Sequence, residues 1–224
     1  DLTDDGHTDF VVLTRFGRLQ VFDVFLGSLA GQVLDLFAAG VAADVAVANL
    51  DADPRPEIIA AGGTQLVVVD VATSPFSMSV ARRYTSPNEL LDVSTGDTDG
   101  DGALEIFALG VRRPAVTDSA RIERLTPALA AIGEIDTKVA GSQVIVEESP
   151  FVPKNLIVAT RTNAAGFLND AFVAAFDPAS GMEIWRSPSL LGAVTHNSIA
   201  YVQLDNETEK RLAFGTAAGM YLTP

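Results

Sequence analysis

One acidic motif recurs along the chain at a fixed step, and this recurrence restricts the possible folds more than any other feature. The copies begin at Asp1, Asn49 and Asp97, two successive intervals of 48 residues. The third copy, Asp97-Thr98-Asp99-Gly100-Asp101-Gly102-Ala103-Leu104-Glu105, runs straight into Ile-Phe-Ala-Leu-Gly. The second, Asn49 to Glu57, leads into Ile-Ile-Ala-Ala-Gly, and the first, Asp1 to Asp9, into Phe-Val-Val-Leu-Thr. Two worn copies start at Glu147 and Gln203, after intervals of 50 and 56 residues. The extra length of the last interval falls in the polar stretch Thr162–Asp170, which reads as a loop insertion.

The residues between the motifs read as β-strands. In the first period Phe10–Arg15, a Phe16-Gly17 turn and Leu19–Phe25 are followed by Ala43–Leu50. In the second, Glu57–Ala61, a Gly62-Gly63-Thr64 turn, Gln65–Val71, Met78–Thr85 and Leu90–Thr95 repeat the plan. Glycine-bounded runs of five to eight Val, Ile, Leu and Phe residues favour strands over helices. Pro127–Ile135 is the one segment with some helical character, and it too is read as a strand or connection. Four short strands per period of this length predict an all-β fold, a β-propeller of four-stranded antiparallel blades. A blade cannot bury both of its faces alone, so neighbours must stack. The chain reads as one propeller region, with units starting near residues 1, 49, 97, 147 and 203. Four full periods plus two further strands would leave apolar edges open, so either the ends meet in a small closed propeller or, as the favoured expectation, the missing blades belong to a longer parent chain. No signal peptide is visible and the first residue is Asp rather than Met, so a processed product or an excerpt from something longer is expected.

The motif itself is a compact oxygen cage. A hard cation such as Ca²⁺ takes six to eight oxygens. Side chains at positions 1, 3, 5 and 9 and a main-chain carbonyl at position 7 supply most of them. In the third copy these are Asp97, Asp99, Asp101 and Glu105, with the carbonyl of Ala103. In the first they are Asp1, Thr3, Asp5 and Asp9, with His7, and in the second Asn49, Asp51, Asp53 and Glu57, with Arg55. Gly102 permits the left-handed backbone that such a loop needs. Four carboxylates this close repel one another unless a cation intervenes. An EF-hand is excluded: its twelfth position is a bidentate Glu, and here it is Ala108, inside a strand-like run.

Fifteen basic against 29 acidic residues give a formal charge of −14. That argues against nucleic acid or an anionic membrane as partner, since both attract basic patches. The chain has no cysteine, so disulfides and thiolate metal sites are impossible. The most apolar region, Val33–Leu50, is broken by Asp35 and Asp44 and is not a membrane span.

At these loops the chain resembles the FG-GAP/VCBS repeat family, propellers that include the head of integrin alpha chains and many bacterial surface proteins. Asp97–Glu105 matches that family's calcium loop, and the first copy matches at Asp1, Asp5, Gly6 and Asp9. The second matches in its oxygens, but Pro54 replaces the glycine and cannot take a positive φ. In the fourth copy Phe151 stands at a ligand position. In the fifth, Arg211 replaces the carboxylate, so that a salt bridge to Asp205 or Glu207 is expected instead of an ion. A fainter likeness, Asp177-Pro-Ala-Ser180-Gly181-Met-Glu-Ile-Trp185, is similar to the turn of quinoprotein-type propellers, whose Trp packs between blades.

The resemblance implies a non-enzymatic, calcium-stabilised propeller, secreted or on the cell surface (or periplasmic). It would act as a binding or adhesion scaffold for a protein or glycan. Two alternatives stay open: a polysaccharide lyase or hydrolase on the same scaffold, and a purely architectural propeller in a larger assembly. No catalytic residue or organic cofactor is assigned. His7 is expected to face solvent, His196 is read as a polar loop residue, and no nucleophile elbow or phosphate loop occurs. Arg82-Arg83 and Arg112-Arg113 read as solvated basic pairs.

Overall fold

The computed structural model describes residues 1–51, 53–73, 75–112, 120–138, 141–146, 156–160, 172–188, 194–203, 210–216 and 219–222. Every regular element among them is a strand, and the strands form five antiparallel sheets. The first contains β1 (Phe10–Leu13), β2 (Arg18–Asp23) and two short strands, β3 (Ser28–Leu29) and β4 (Leu34–Asp35), which both pair with β2. The second is β5 (Ala42–Ala48), β6 (Glu57–Gly62), β7 (Gln65–Thr73) and β8 (Phe76–Thr85), in that order. The third is β9 (Glu89–Gly96), β10 (Glu105–Val111), β11 (Ala120–Leu125) and β12 (Ala131–Asp136). The fourth is β13 (Gly141–Val146), β14 (Leu156–Thr160), β15 (Val173–Phe176) and β16 (Glu183–Arg186). The fifth has β17 (Val194–Gln203), β18 (Lys210–Thr216) and β19 (Gly219–Leu222).

These sheets are the expected blades, but their phase differs from the sequence period. The strand before each acidic loop belongs to the same blade as the strand after it: β5 pairs with β6, and β9 with β10. Ala43–Leu50 therefore opens the second blade rather than ending the first. Pro127–Ile135 splits into a turn and β12, with no helix.

Burial explains why the blades stack. β6 and β10 are buried almost throughout, whereas the outer strands β12 and β16 are largely exposed. Side chains alternate across a strand, so β6 serves two interfaces at once. Ile58 and Ala60 pack with Leu19, Val21 and Met78 toward the first blade. Ile59 and Ala61 pack with Leu90, Ile106 and Leu125 toward the third. β10 repeats the arrangement, with Phe107 and Leu109 meeting Val144, Leu156 and Phe176 of the fourth blade. Ile157 and Val173 then meet Ile199, Leu212 and Phe214 of the fifth. Strands apolar on both sides read as continuous hydrophobic runs because neither face meets water.

Successive blades contact one another through their first strands, β5 to β9, β9 to β13 and β13 to β17. Polar anchors repeat along this inner row. Asp44 accepts the N–H of Val93 at 3.1 Å, Asp92 that of Val144 at 2.7 Å, and Gln143 that of Ile199 at 3.3 Å. Among the described residues no helix is long and apolar enough to cross a membrane.

Candidate metal centres

Each of the first three acidic motifs forms a loop ahead of a strand, β1, β6 and β10 in turn, and one hydrogen bond recurs in all of them. The position-9 carboxylate accepts the N–H of the second loop residue. Asp9 does so from Leu2 at 2.7 Å, Glu57 from Leu50 at 2.6 Å and Glu105 from Thr98 at 2.9 Å. Glu57 and Glu105 are the first residues of buried strands and are themselves buried. A carboxylate there needs such donors, because a buried charge without partners is costly.

The three loops differ in what the remaining oxygens meet. In the third, one oxygen each of Asp97, Asp99 and Glu105 lies within 4.8 Å of the others. The second does the same with Asp51, Asp53 and Glu57. Pro54 therefore does not prevent convergence, although Gly102 does take the left-handed backbone (φ 90°) in the third loop. Burial, with Asp51 and Asp53 nearby, pushes the Glu57 carboxyl above the ordinary range, against the Leu50 N–H, which lowers it. Carboxylates crowded in this way favour a divalent cation.

The first loop does not gather three carboxylates. Asp1 is turned onto the N–H groups of Asp4, Asp5 and Gly6, and Asp5 onto that of His7. It has instead two buried oxygens without hydrogen-bond partners, Thr3 Oγ1 and Asp9 Oδ1, both at expected ligand positions. Buried oxygens left unsatisfied are unfavourable, and a bound cation would relieve them. The donor sets of the first two loops thus fit a hard cation. Asp101 lies outside the third cluster and accepts the N–H of Ala103. Asn49 donates to the carbonyl of Asp53, and Arg55 donates its N–H to the Asp53 carboxylate. His7 is exposed, as expected, and stacks on Phe25 with ring centroids 4.5 Å apart. The fourth motif, with Phe151, and residues 204–209 of the fifth, with Asp205 and Glu207, lie outside the described residues, while Gln203 and Arg211 stand at the facing ends of β17 and β18.

Sequence reasoning missed Arg124 of β11. Its Nη2 donates to Asp99 at 2.7 Å and to Glu105 at 3.0 Å, entering the third loop. It also missed Glu123, which is buried at the junction of the second and third blades. Glu123 accepts from Tyr84 Oη at 2.6 Å, from the Ser86 hydroxyl and from Asn88 Nδ2 at 2.8 Å. Burial and this bond push the Tyr84 phenol up to about 12. For Asp44 and Asp92 a signal was present, since they stand one 48-residue period apart. Arg124 and Glu123 have no such signal.

The Asp177–Gly181 turn forms: Gly181 N donates to the Asp177 carbonyl at 2.9 Å, and Asp177 accepts from the Ser180 N–H and hydroxyl at 2.6 Å each. These bonds hold the Asp177 carboxyl below the usual range. Trp185 departs from expectation. It lies on the outer strand β16 opposite Ala175 and is 41% exposed rather than packed between blades. The fourth strand of a blade has no neighbour beyond it, so a large ring there stays partly in water.

No family model and no curated protein sequence matches the chain. Solved structures match it in shape. The crystal structure of Saccharomyces cerevisiae Sqt1 is 10% identical with a TM-score of 0.65, covering 98% of this chain and 56% of that one. That of BBS1N in complex with ARL6DN is 17% identical with a TM-score of 0.55, covering 98% and 76%. That of the V. cholerae biofilm matrix protein Bap1 is 16% identical with a TM-score of 0.60, covering 89% and 29%. The chain thus spans little more than half the length of Sqt1. At such identities the likeness speaks for architecture alone: this chain is a run of antiparallel β-propeller blades.

Proposed function

We propose that the chain is a calcium-stabilised propeller module displayed outside the cell, serving as a scaffold that binds a protein or glycan rather than as an enzyme. The observation that carries this reading is the convergence of Asp51, Asp53 and Glu57 at a loop whose counterparts recur one period earlier and later. Extracellular calcium is abundant enough to fill the weaker class of oxygen sites. In this reading the ion is structural: it binds the folded loop and not the unfolded chain, and so adds stability. The binding role draws support from two of the similar structures, one a complex with ARL6DN and one a biofilm matrix protein.

Melting with calcium and then with excess chelator tests the ion. A melting temperature several degrees lower in chelator is expected, and an unchanged one would reject it. A glycan array paired with an assay for unsaturated uronate products separates a binder from a lyase.

A second reading, a module within a larger propeller or surface assembly, is favoured by the first blade. Phe10, Val12 and Leu29 are 64%, 37% and 45% exposed. The pairings Phe10 to Phe22 and Phe22 to Leu29 put Phe10 and Leu29 on one face. An apolar sheet face of this kind calls for a covering layer.

A further inference from the structure

The third loop resembles a calcium loop best in sequence, yet in the structure its oxygens already hold a cation of the chain's own. Arg124 Nη2 bridges Asp99 Oδ2 (2.7 Å) and Glu105 Oε1 (3.0 Å). These residues furnish two of the three converging oxygens. The Arg124 side chain is 17% exposed and that of Glu105 7%, so the pair is shielded from solvent.

The strand registers show that this is a particular feature of one blade. Counting from the position-9 carboxylate, Val11, Ile59 and Phe107 are equivalent. Their partners on the next strand are Val21, Val68 and Arg124. In the first two blades the equivalent residue is a fully buried valine, which can offer no charge. Only the third of these blades places a guanidinium there. Residues diagonal across antiparallel strands are within reach of a long side chain, which accounts for the contact with Glu105.

We infer that Arg124 is an internal competitor for the third loop: its guanidinium neutralises Asp99 and Glu105, and a divalent ion enters only by displacing it. The order of affinities is then the reverse of that suggested by sequence, with the second and first loops taking calcium more readily than the third. A destination for the displaced side chain exists. Arg124 borders a cleft of about 640 Å³ between β12 and the Asp177–Gly181 turn, whose walls also carry Glu134 and Asp136, which already pair with Arg121, and Glu183, which pairs with Arg186. This inference rests on the calcium reading above for its competing ion.

Calorimetric titration of the whole 224-residue chain with CaCl₂ tests it, in the native protein, Arg124→Gln and Arg124→Gln/Asp99→Asn. Arg124→Gln should bind one more calcium per chain than the native protein, or bind at the third loop about tenfold or more tightly. The double variant should lose that gain. In chelator, Arg124→Gln should melt lower than the native protein, and calcium should restore it. If Arg124→Gln binds with native stoichiometry and affinity while the native protein does bind calcium, the competition is refuted and the calcium reading stands. If no form binds calcium, both are refuted.

Discussion

The N–H of Val144 donates to the Asp92 carboxyl across the junction of the third and fourth blades, at 2.7 Å. Asp92 is buried and interacts with Asp44, which holds the preceding blade's equivalent position. Burial first, then the neighbouring Asp44 charge, pushes the Asp92 carboxyl up to about 9. In an unfolded chain it would titrate near about 3.9. The folded state therefore keeps a proton that the unfolded state gives up. This contribution to stability is complete below the unfolded value and is lost as pH rises toward the folded one. Asp92→Asn should remove up to about 1.4 kcal/mol per pH unit from the decline between those limits. Urea midpoints measured from pH 5 to 9 will show whether the profile flattens.

Glu123→Ala should be strongly destabilising. It leaves the Tyr84 hydroxyl, the Ser86 hydroxyl and the Asn88 amide without their shared acceptor between two blades. A loss of about 3 kcal/mol is expected from stranded buried donors, read as a lower urea midpoint. Glu123→Gln, which keeps one acceptor oxygen, should lose less.

Phe107 is fully buried in the contact between the third and fourth blades. Phe107→Ala should cost about 3–5 kcal/mol. Equilibrium unfolding in urea measures it, with an unchanged slope confirming that the native fold persists.

Glu57→Gln separates charge from hydrogen bonding in the second loop. The amide oxygen still accepts from Leu50, but the crowding with Asp51 and Asp53 falls. In chelator the variant should melt at or above the native temperature, and on adding calcium its gain should be smaller than the native gain. Scanning calorimetry under both conditions decides this.

Trp185 is the sole tryptophan, and its exposure makes it a direct probe of the fourth blade's rim. Acrylamide should quench its native fluorescence readily, with only a modest further increase on unfolding. Strong protection in the native state would place the ring between blades after all.

The blades were legible because their cause is local. A 48-residue step and apolar runs such as Ile58–Ala61 reflect strands buried on both sides. Blade phase was less legible, since Ala43–Leu50 reads equally as an end or a beginning until β5 is seen paired with β6. The loops stood out through clustered carboxylates, but their differing states did not. That of the third depends on Arg124, which lies 25 residues beyond Asp99 and reaches it only through the register of β10 and β11. Trp185 was misjudged for a related reason: position within a motif does not say whether another blade lies alongside.

The two-sided burial of β6 has one more consequence. Where a strand has grease on either flank, sliding it by one residue strands no polar group in the interior, so hydrophobicity alone cannot choose its alignment. The clasp from Glu57 to the Leu50 amide can, because it closes only when the hairpin is threaded correctly. In the folded chain each acidic bend thus acts as an alignment key for the strand it precedes.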